Sequence, residues 1–194
     1  MTKAILFDAD GVTLIKQGYF SEKLSKEYNI PLEKITPFFK NDFRLCQQGK
    51  LDLKVILPEY LIAWNWKKSL EYFISYWFES DTKADIEVIQ KIQNIRNNGI
   101  KCYLVSDQEQ YRAEYILDNL NFKNYFDNCF FSYKIKTSKS DKEFFIKILQ
   151  ELRLEASELS YLDDEEKNVA VAKKLGINAH YFTNINDINL CGKK

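Results

Sequence analysis

Asp8 and Asp10 stand one residue apart at the end of the apolar run Ile5-Leu6-Phe7, and Gly11 comes directly after them. On a regular strand residues i and i+2 share a face, and just past the strand's carboxyl end the chain curls, so both acids can approach one point. Unpaired buried charge opposes folding. The pair makes chemical sense where a cation and an electrophile lie between the two carboxylates. A solvated acidic turn is the plainer alternative, and the tetrad alone does not decide between them. A calcium loop opening at Asp8 is excluded. Its sixth and twelfth positions, which need glycine and glutamate, hold Thr13 and Tyr19.

Two further apolar runs stop at polar residues, and a loop supplies a third polar group. Ile100 to Val105 is expected to be a strand ending at Ser106-Asp107, and Leu159 to Leu162 a strand ending at Asp163-Asp164. Lys139 precedes Ser140-Asp141-Lys142-Glu143, a capping-box pattern opening a helix with Phe144, Phe145, Ile148, Leu149 and Leu152 on its apolar face. Each has a plainer reading as well. Ser106 can cap a turn, Lys139 can be a solvated loop lysine, and Asp163-Asp164 can cap the next helix.

The elements that must position these residues alternate from about Ala84 onward. Ile86, Ile89, Ile92 and Ile95 recur at helical spacing, with Gly99 where a C-cap falls. Tyr111 to Leu120 is expected as a helix, Cys129 to Phe131 as a short strand, Val169 to Leu175 as a helix closed by Gly176, and Ala179 to Phe182 as a last strand. Repeated strand–helix units predict an α/β, Rossmann-like parallel sheet with helices on both faces. Ligands of such sheets bind beyond the carboxyl ends of the strands, where these polar residues fall. Between Thr13 and Asp81 the pattern changes to amphipathic stretches at Phe20–Tyr28, Leu53–Ala63 and Ser69–Phe78, with turns near Pro31, Pro37, Gly49 and Pro58. Directly after the first strand, such an insertion is expected to be a helical cap. The division predicted is 1–12 and 83–194 for the core and 13–82 for the cap.

Composition excludes several classes. Lys+Arg and Asp+Glu balance at 28 each, which argues against a dedicated nucleic-acid binder. The four cysteines (Cys46, Cys102, Cys129, Cys191) form no C-x-x-C pair, and His180 is the only histidine. Zinc sites, disulfide frameworks and histidine triads are therefore not expected. No apolar stretch is long enough to span a bilayer, and the start is too short in apolar residues for a signal peptide, so a reducing cytoplasm is the expected setting.

The ordered set Phe7-Asp8-Ala9-Asp10-Gly11-Val12, Leu104-Val105-Ser106-Asp107, Lys139-Ser140-Asp141 and Tyr161-Leu162-Asp163-Asp164, continued by Asn168-Val169 to Gly176, resembles the haloacid dehalogenase-like hydrolase superfamily over nearly the whole chain. Most of its members are phosphatases. The resemblance implies Asp8 as a nucleophile attacking phosphorus to give an aspartyl-phosphate, a role that suits an ionised carboxylate. Asp10 would protonate the leaving alkoxide and then activate water, which requires a protonated fraction and hence a carboxyl pKa above the free value of about 3.9. Its presence separates phosphate chemistry from the dehalogenase branch. Phosphate contacts are implied at Gly11, Ser106, Asp107 and Lys139. A magnesium ion would be held by Asp8, the Asp10 backbone carbonyl, Asp164 and Asp163, the last directly or through water.

Three departures from the family pattern stand out. Asp107 replaces a frequent asparagine, Val12 a frequent threonine, and Ser140 the usual proline, a change expected to loosen that loop. Arg44 and Lys50, near Gly49, are either surface charge or contacts to a second group of the substrate. Trp64, Trp66 and Trp77 are expected in the cap core. The activity implied is hydrolysis of a small phosphorylated metabolite, such as a sugar phosphate or nucleotide-like monoester. A phosphomutase and a non-catalytic phospholigand-binding protein are the alternatives.

Overall fold

The structure is a computed structural model and describes residues 2–192. Strands β1 (Ala4–Asp8), β2 (Lys101–Ser106), β3 (Asn128–Phe131), β4 (Leu159–Asp163) and β5 (Asn178–Tyr181) form one parallel sheet in the order β3-β2-β1-β4-β5. β1 is central, with Phe7 opposite Leu104 on one side and Leu162 on the other. Alternation along the strand feeds two separate cores. Ile5, Phe7 and Ala9 join Cys102, Leu104 and Leu162 on one face, while Ala4 and Leu6 join Val105, Leu159 and Tyr161 on the other. A sheet buried on both faces explains why β1 and β4 carry continuous apolar runs, as the sequence leads one to expect.

Between β1 and β2 the chain builds α1 (Phe20–Tyr28), α2 (Leu32–Lys40), α3 (Asp42–Gln47), α4 (Leu53–Ala63) and α5 (Leu70–Asp81), then α6 (Ile86–Asn97), which returns to the sheet. The remaining helices are α7 (Gln110–Asp118), α8 (Phe122–Tyr125), α9 (Ser132–Ile135), α10 (Lys142–Leu152) and α11 (Glu166–Lys174). Helices α1 to α5 enclose a core of their own, in which Phe20, Phe38, Phe73 and Trp77 pack edge to face and stacked. Trp64 and Trp77 are buried there, and Trp66 is half-buried against it.

The structure differs from the sequence-based expectation in the inserted helices and at the start of α10. Helices α2 and α3 occupy a stretch where the sequence suggests only turns near Pro31 and Pro37. Pro37 lies inside α2 and Pro58 inside α4. An interior proline forfeits one backbone hydrogen bond, and Pro37 is exposed, so the carbonyl it leaves can be solvated. The buried positions Ile35 and Phe38 hold the helix regardless. The N-cap of α10 is Asp141, whose carboxylate accepts from the Glu143 N–H at 3.0 Å, whereas the Ser140 hydroxyl pairs with Ser138 at 2.6 Å. The capping box expected at Ser140 is therefore not formed, and a single side-chain cap from Asp141, one residue later, takes its place.

Two linkers join the inserted helices to the sheet, and they are paired with each other. Leu14 bridges Ala84, the Ile15 N–H donates to the Lys83 carbonyl at 2.8 Å, and the Asp85 N–H donates to the Thr13 carbonyl at 2.9 Å. No helix among the described residues is long and apolar enough to cross a membrane.

Phe73 is fully buried among Phe20, Trp64, Trp66 and Trp77. Phe73→Ala is expected to cost about 3–5 kcal/mol in urea denaturation followed by tryptophan fluorescence. A loss below about 1 kcal/mol would show that the inserted helices do not depend on this core.

Candidate active site

The apolar runs end at one edge of the sheet, and the residues just beyond them line a cavity of about 490 Å³. Asp8, Asp10, Ser106, Asp107, Lys139 and Asp164 line it from the sheet side, and Phe39, Phe43, Arg44, Gln47 and Trp77 from the inserted helices. Lys50 is exposed and not part of the lining, so of the two cations singled out near Gly49 only Arg44, on α3, lines the cavity. His180 lies on β5 and takes no part in the lining.

The Lys139 ammonium is buried between two carboxylates, 2.5 Å from Asp8 Oδ1 and 2.8 Å from Asp163 Oδ2. Burial alone would lower its pKa, but Asp8, Asp163 and Asp107 outweigh burial and raise it, so the ammonium stays charged. Burial lifts the Asp8 carboxyl well above the ordinary carboxylate range, with Lys139 opposing and Asp163 adding to the rise. Asp163 is fully buried and has its oxygens occupied. It accepts from Lys139, the Tyr161 hydroxyl, the Glu165 N–H at 2.7 Å and the Asn168 amide at 3.2 and 3.3 Å. Asp164 by contrast has one partner among the described residues, the Lys16 ammonium at 2.7 Å, on a side chain 57% exposed.

Carboxylate oxygens of Asp8, Asp163 and Asp164 lie within 4.8 Å of one another, an arrangement that can hold a metal ion. The donor set is all oxygen, which suits a hard divalent cation. Charge points the same way, because a cation there would favour the ionised Asp8 carboxylate, which burial and Asp163 disfavour and Lys139 alone does not restore. Gly11 makes the approach of Asp164 possible. It sits at φ +81°, and a Cβ there would collide with the Asp164 carboxylate. The glycine after the acid pair therefore faces Asp164.

The loop after β1 is wound tightly on Ala9, whose carbonyl accepts from the N–H groups of Thr13 and Leu14 at 3.0 and 2.7 Å. That winding brings Asp10 beside α7, where it meets partners that motif spacing does not reveal. Arg112 makes a two-pronged pair with Asp10, Nη1 to Oδ2 at 2.9 Å and Nη2 to Oδ1 at 2.7 Å. The Gln108 amide donates to Asp10 Oδ2 at 2.6 Å and to the Ser106 hydroxyl at 3.1 Å. Burial raises the Asp10 carboxyl, yet Arg112, then Lys139 and Gln108, outweigh it and hold the carboxyl below its ordinary value. The raised value expected for Asp10 is thereby corrected, the reason being this guanidinium. The sequence signal that marks it is helical. Arg112 shares the inner face of α7 with buried Ala113 and Ile116.

The departures at Asp107 and Ser140 also find a place. Asp107 Oδ1 accepts from the Lys139 N–H at 3.0 Å, tying the lysine loop to the end of β2, and its carbonyl accepts from the Gln47 side chain at 2.7 Å. The lysine loop is further stitched by the Ser138–Ser140 contact and by the Asp141 N–H to the Ser138 carbonyl at 2.9 Å. Proline's stiffening role is taken by hydrogen bonds, so the loosening expected from Ser140 is offset.

A family model described as haloacid dehalogenase-like hydrolase matches residues 2–176. No curated protein matches the sequence. Among solved structures, a HAD family enzyme from Bacteroides thetaiotaomicron superposes with TM-score 0.83 at 18% identity, covering 93% of each chain. The same enzyme in complex with magnesium and inorganic phosphate gives 0.81 at 18% identity, over 100% of this chain and 97% of that one. A protein from Porphyromonas gingivalis described as a predicted HAD-like family hydrolase gives 0.82 at 17% identity over the whole of both chains. L-2-haloacid dehalogenase from Xanthobacter autotrophicus is more distant, at 0.67 and 14% identity, over 93% of this chain and 77% of that one. At these identities the likeness is one of fold.

Glu109 begins α7 beside the site, buried, accepting from the N–H groups of Tyr111 at 2.8 Å and Arg112 at 2.5 Å. Burial outweighs those bonds and lifts its carboxyl from the ordinary 4.5 to about 7. The folded protein therefore keeps a proton that the unfolded chain has released, and stability falls as pH rises through this window. Relative to Glu109→Gln, the wild type should lose about 3 kcal/mol between pH 4.5 and pH 7. Urea denaturation of both proteins at several pH values measures it, and parallel curves would refute the assignment.

Proposed function

This chain belongs to the haloacid dehalogenase-like hydrolase family, and from that membership and the geometry of its carboxylates we propose a magnesium-dependent phosphatase acting through phosphorylated Asp8. The observation that carries the reading is Asp8 at the cavity wall with Lys139 2.5 Å away and two further acids closing the set. A buried ammonium and an all-oxygen set of acids beside the nucleophile favour an electrophile that is itself rich in negative charge. The Bacteroides thetaiotaomicron enzyme, similar in fold, binds magnesium and inorganic phosphate, which supports the same pair of ligands here.

In this reading the Asp8 carboxylate attacks phosphorus and the P–O ester bond breaks, the leaving oxygen taking its proton from solvent; water then cleaves the acyl-phosphate, its proton passing by way of Asp10 to solvent, and Asp8 is regenerated. Lys139 neutralises the nucleophile and the equatorial phosphate oxygens in turn. The Ser106 hydroxyl donates to a phosphate oxygen while accepting from Gln108. Asp10 stands ionised against Arg112, the state needed to take a proton from the attacking water. Asp8, Asp164 and the Asp10 carbonyl would hold magnesium, which when bound screens nucleophile from phosphate and aligns them. Asp163, with its oxygens committed, serves to fix Lys139.

The division into a core of residues 1–12 and 83–194 and a cap of residues 13–82 belongs to this proposal. The inserted helices lay Phe39, Phe43, Arg44 and Trp77 over the cavity and touch the sheet domain through Gln47, Gly49 and Asp52. A cavity of about 490 Å³ suits a small phosphorylated metabolite. The free cysteines Cys46, Cys102, Cys129 and Cys191 support a reducing, cytoplasmic setting.

Purified protein is expected to release p-nitrophenol from p-nitrophenyl phosphate with magnesium and to stop in EDTA. Asp8→Asn should lower kcat by at least about a thousandfold with the fold retained by circular dichroism. Turnover of wild-type magnitude in Asp8→Asn would refute the covalent route.

A further inference from the structure

Arg112 is 5% exposed and uses all three guanidinium nitrogens. Two nitrogens grip the Asp10 carboxylate at 2.7 and 2.9 Å. The third, Nε, donates to the Thr82 hydroxyl at 3.2 Å, while Nη2 also donates to the Asp81 carbonyl at 3.2 Å. Asp10 belongs to the loop after β1 that leads into the inserted helices. Asp81 and Thr82 belong to the segment by which those helices return. A planar five-donor fork with its orientation fixed by packing holds several acceptors in one geometry, which a lysine cannot do.

We infer that Arg112 is a positioning residue that sets the aim of the Asp10 carboxylate and the seat of the returning linker through one guanidinium, so that the two are fixed together. Three observations carry this. Arg112 is carried by an element outside both segments, because α7 is seated on the sheet domain by buried Ala113 and Ile116, while its Tyr111 and Tyr115 meet the inserted helices. Gln108, also buried, supplies Asp10 with a third donor from the same strand-to-helix turn, leaving the carboxylate little freedom to rotate. The linkers are in turn joined by the Ile15–Lys83 and Asp85–Thr13 hydrogen bonds, so a displacement at Thr82 is passed to the chain that carries Asp10. The catalytic consequence rests on the phosphatase reading, whereas the mechanical one does not.

The test has two arms. Kinetically, Arg112→Met should lower kcat for p-nitrophenyl phosphate by about a hundredfold with KM within about twofold. In an Asp10→Asn background it should add almost nothing, because the residue through which it acts is already gone. Costs that multiply in the double variant would overturn the proposal. Mechanically, backbone hydrogen exchange at Ile15 and Asp85 should speed up together in Arg112→Met, and more modestly in Thr82→Val, which removes only the hydroxyl and keeps the buried charge pair. Unchanged exchange at both amides in the folded Thr82→Val and Arg112→Met proteins would overturn it too. Should wild-type protein show no hydrolysis, the phosphatase reading fails and the exchange arm still decides the linkage; should Arg112→Met not fold, Thr82→Val decides it.

Discussion

One buried ammonium between two buried carboxylates is the constraint on which the rest of this structure depends. Lys139 is the cation that makes it tolerable for β1 and β4 to end in Asp8 and Asp163 inside the protein. Removing water from an isolated carboxylate is costly, and the cost is met only where hydrogen bonds and an opposite charge are complete. Completion here draws on every part of the sheet edge. Tyr161 and Asn168 donate to Asp163, and Asp107 at the end of β2 holds the backbone of Lys139. The site is thus a polar core with the same demand for full satisfaction as any buried network.

The sheet domain and the inserted helices bury separate apolar clusters, yet they meet around one cavity. Charge within that cavity is arranged by element. Asp8, Asp10, Asp163 and Asp164 lie at or just beyond strand ends, whereas the cations that pair with them come from a loop, a helix and a linker, as Lys139, Arg112 and Lys16. Anything that shifts loop or linker therefore alters the electrostatics of a fixed acidic set, a natural division between rigid chemistry and adjustable access.

The sheet is legible in the sequence because continuous apolar runs ending in polar pairs are what a doubly covered parallel sheet requires, and Asp8, Ser106 and Asp163 fall where those runs stop. Lys139 is legible from its place ahead of a helix start, although the true N-cap is Asp141. Helices α2 and α3 are not, since Pro37 suggests a break and its tolerance depends on exposure. Arg112 is not legible for a different reason. Its significance lies in contacts with Asp10 and Thr82, separated by 102 and 30 residues, and periodicity reports only that it faces inward. The ionised state of Asp10 depends on that contact, so it too lies beyond the sequence. The role of Gly11 shows the same limit, because the close neighbour that excludes a side chain is Asp164, far along the chain.

The central claim is that Asp8 carries the phosphoryl group between the two half-reactions, and trapping it with borohydride is the most direct measurement. Protein quenched during turnover of p-nitrophenyl phosphate, reduced and digested, is expected to contain homoserine in place of Asp8 in the peptide spanning β1. Phosphate release with no reduction at Asp8, or with reduction at another carboxylate, would contradict a covalent phospho-Asp8 route.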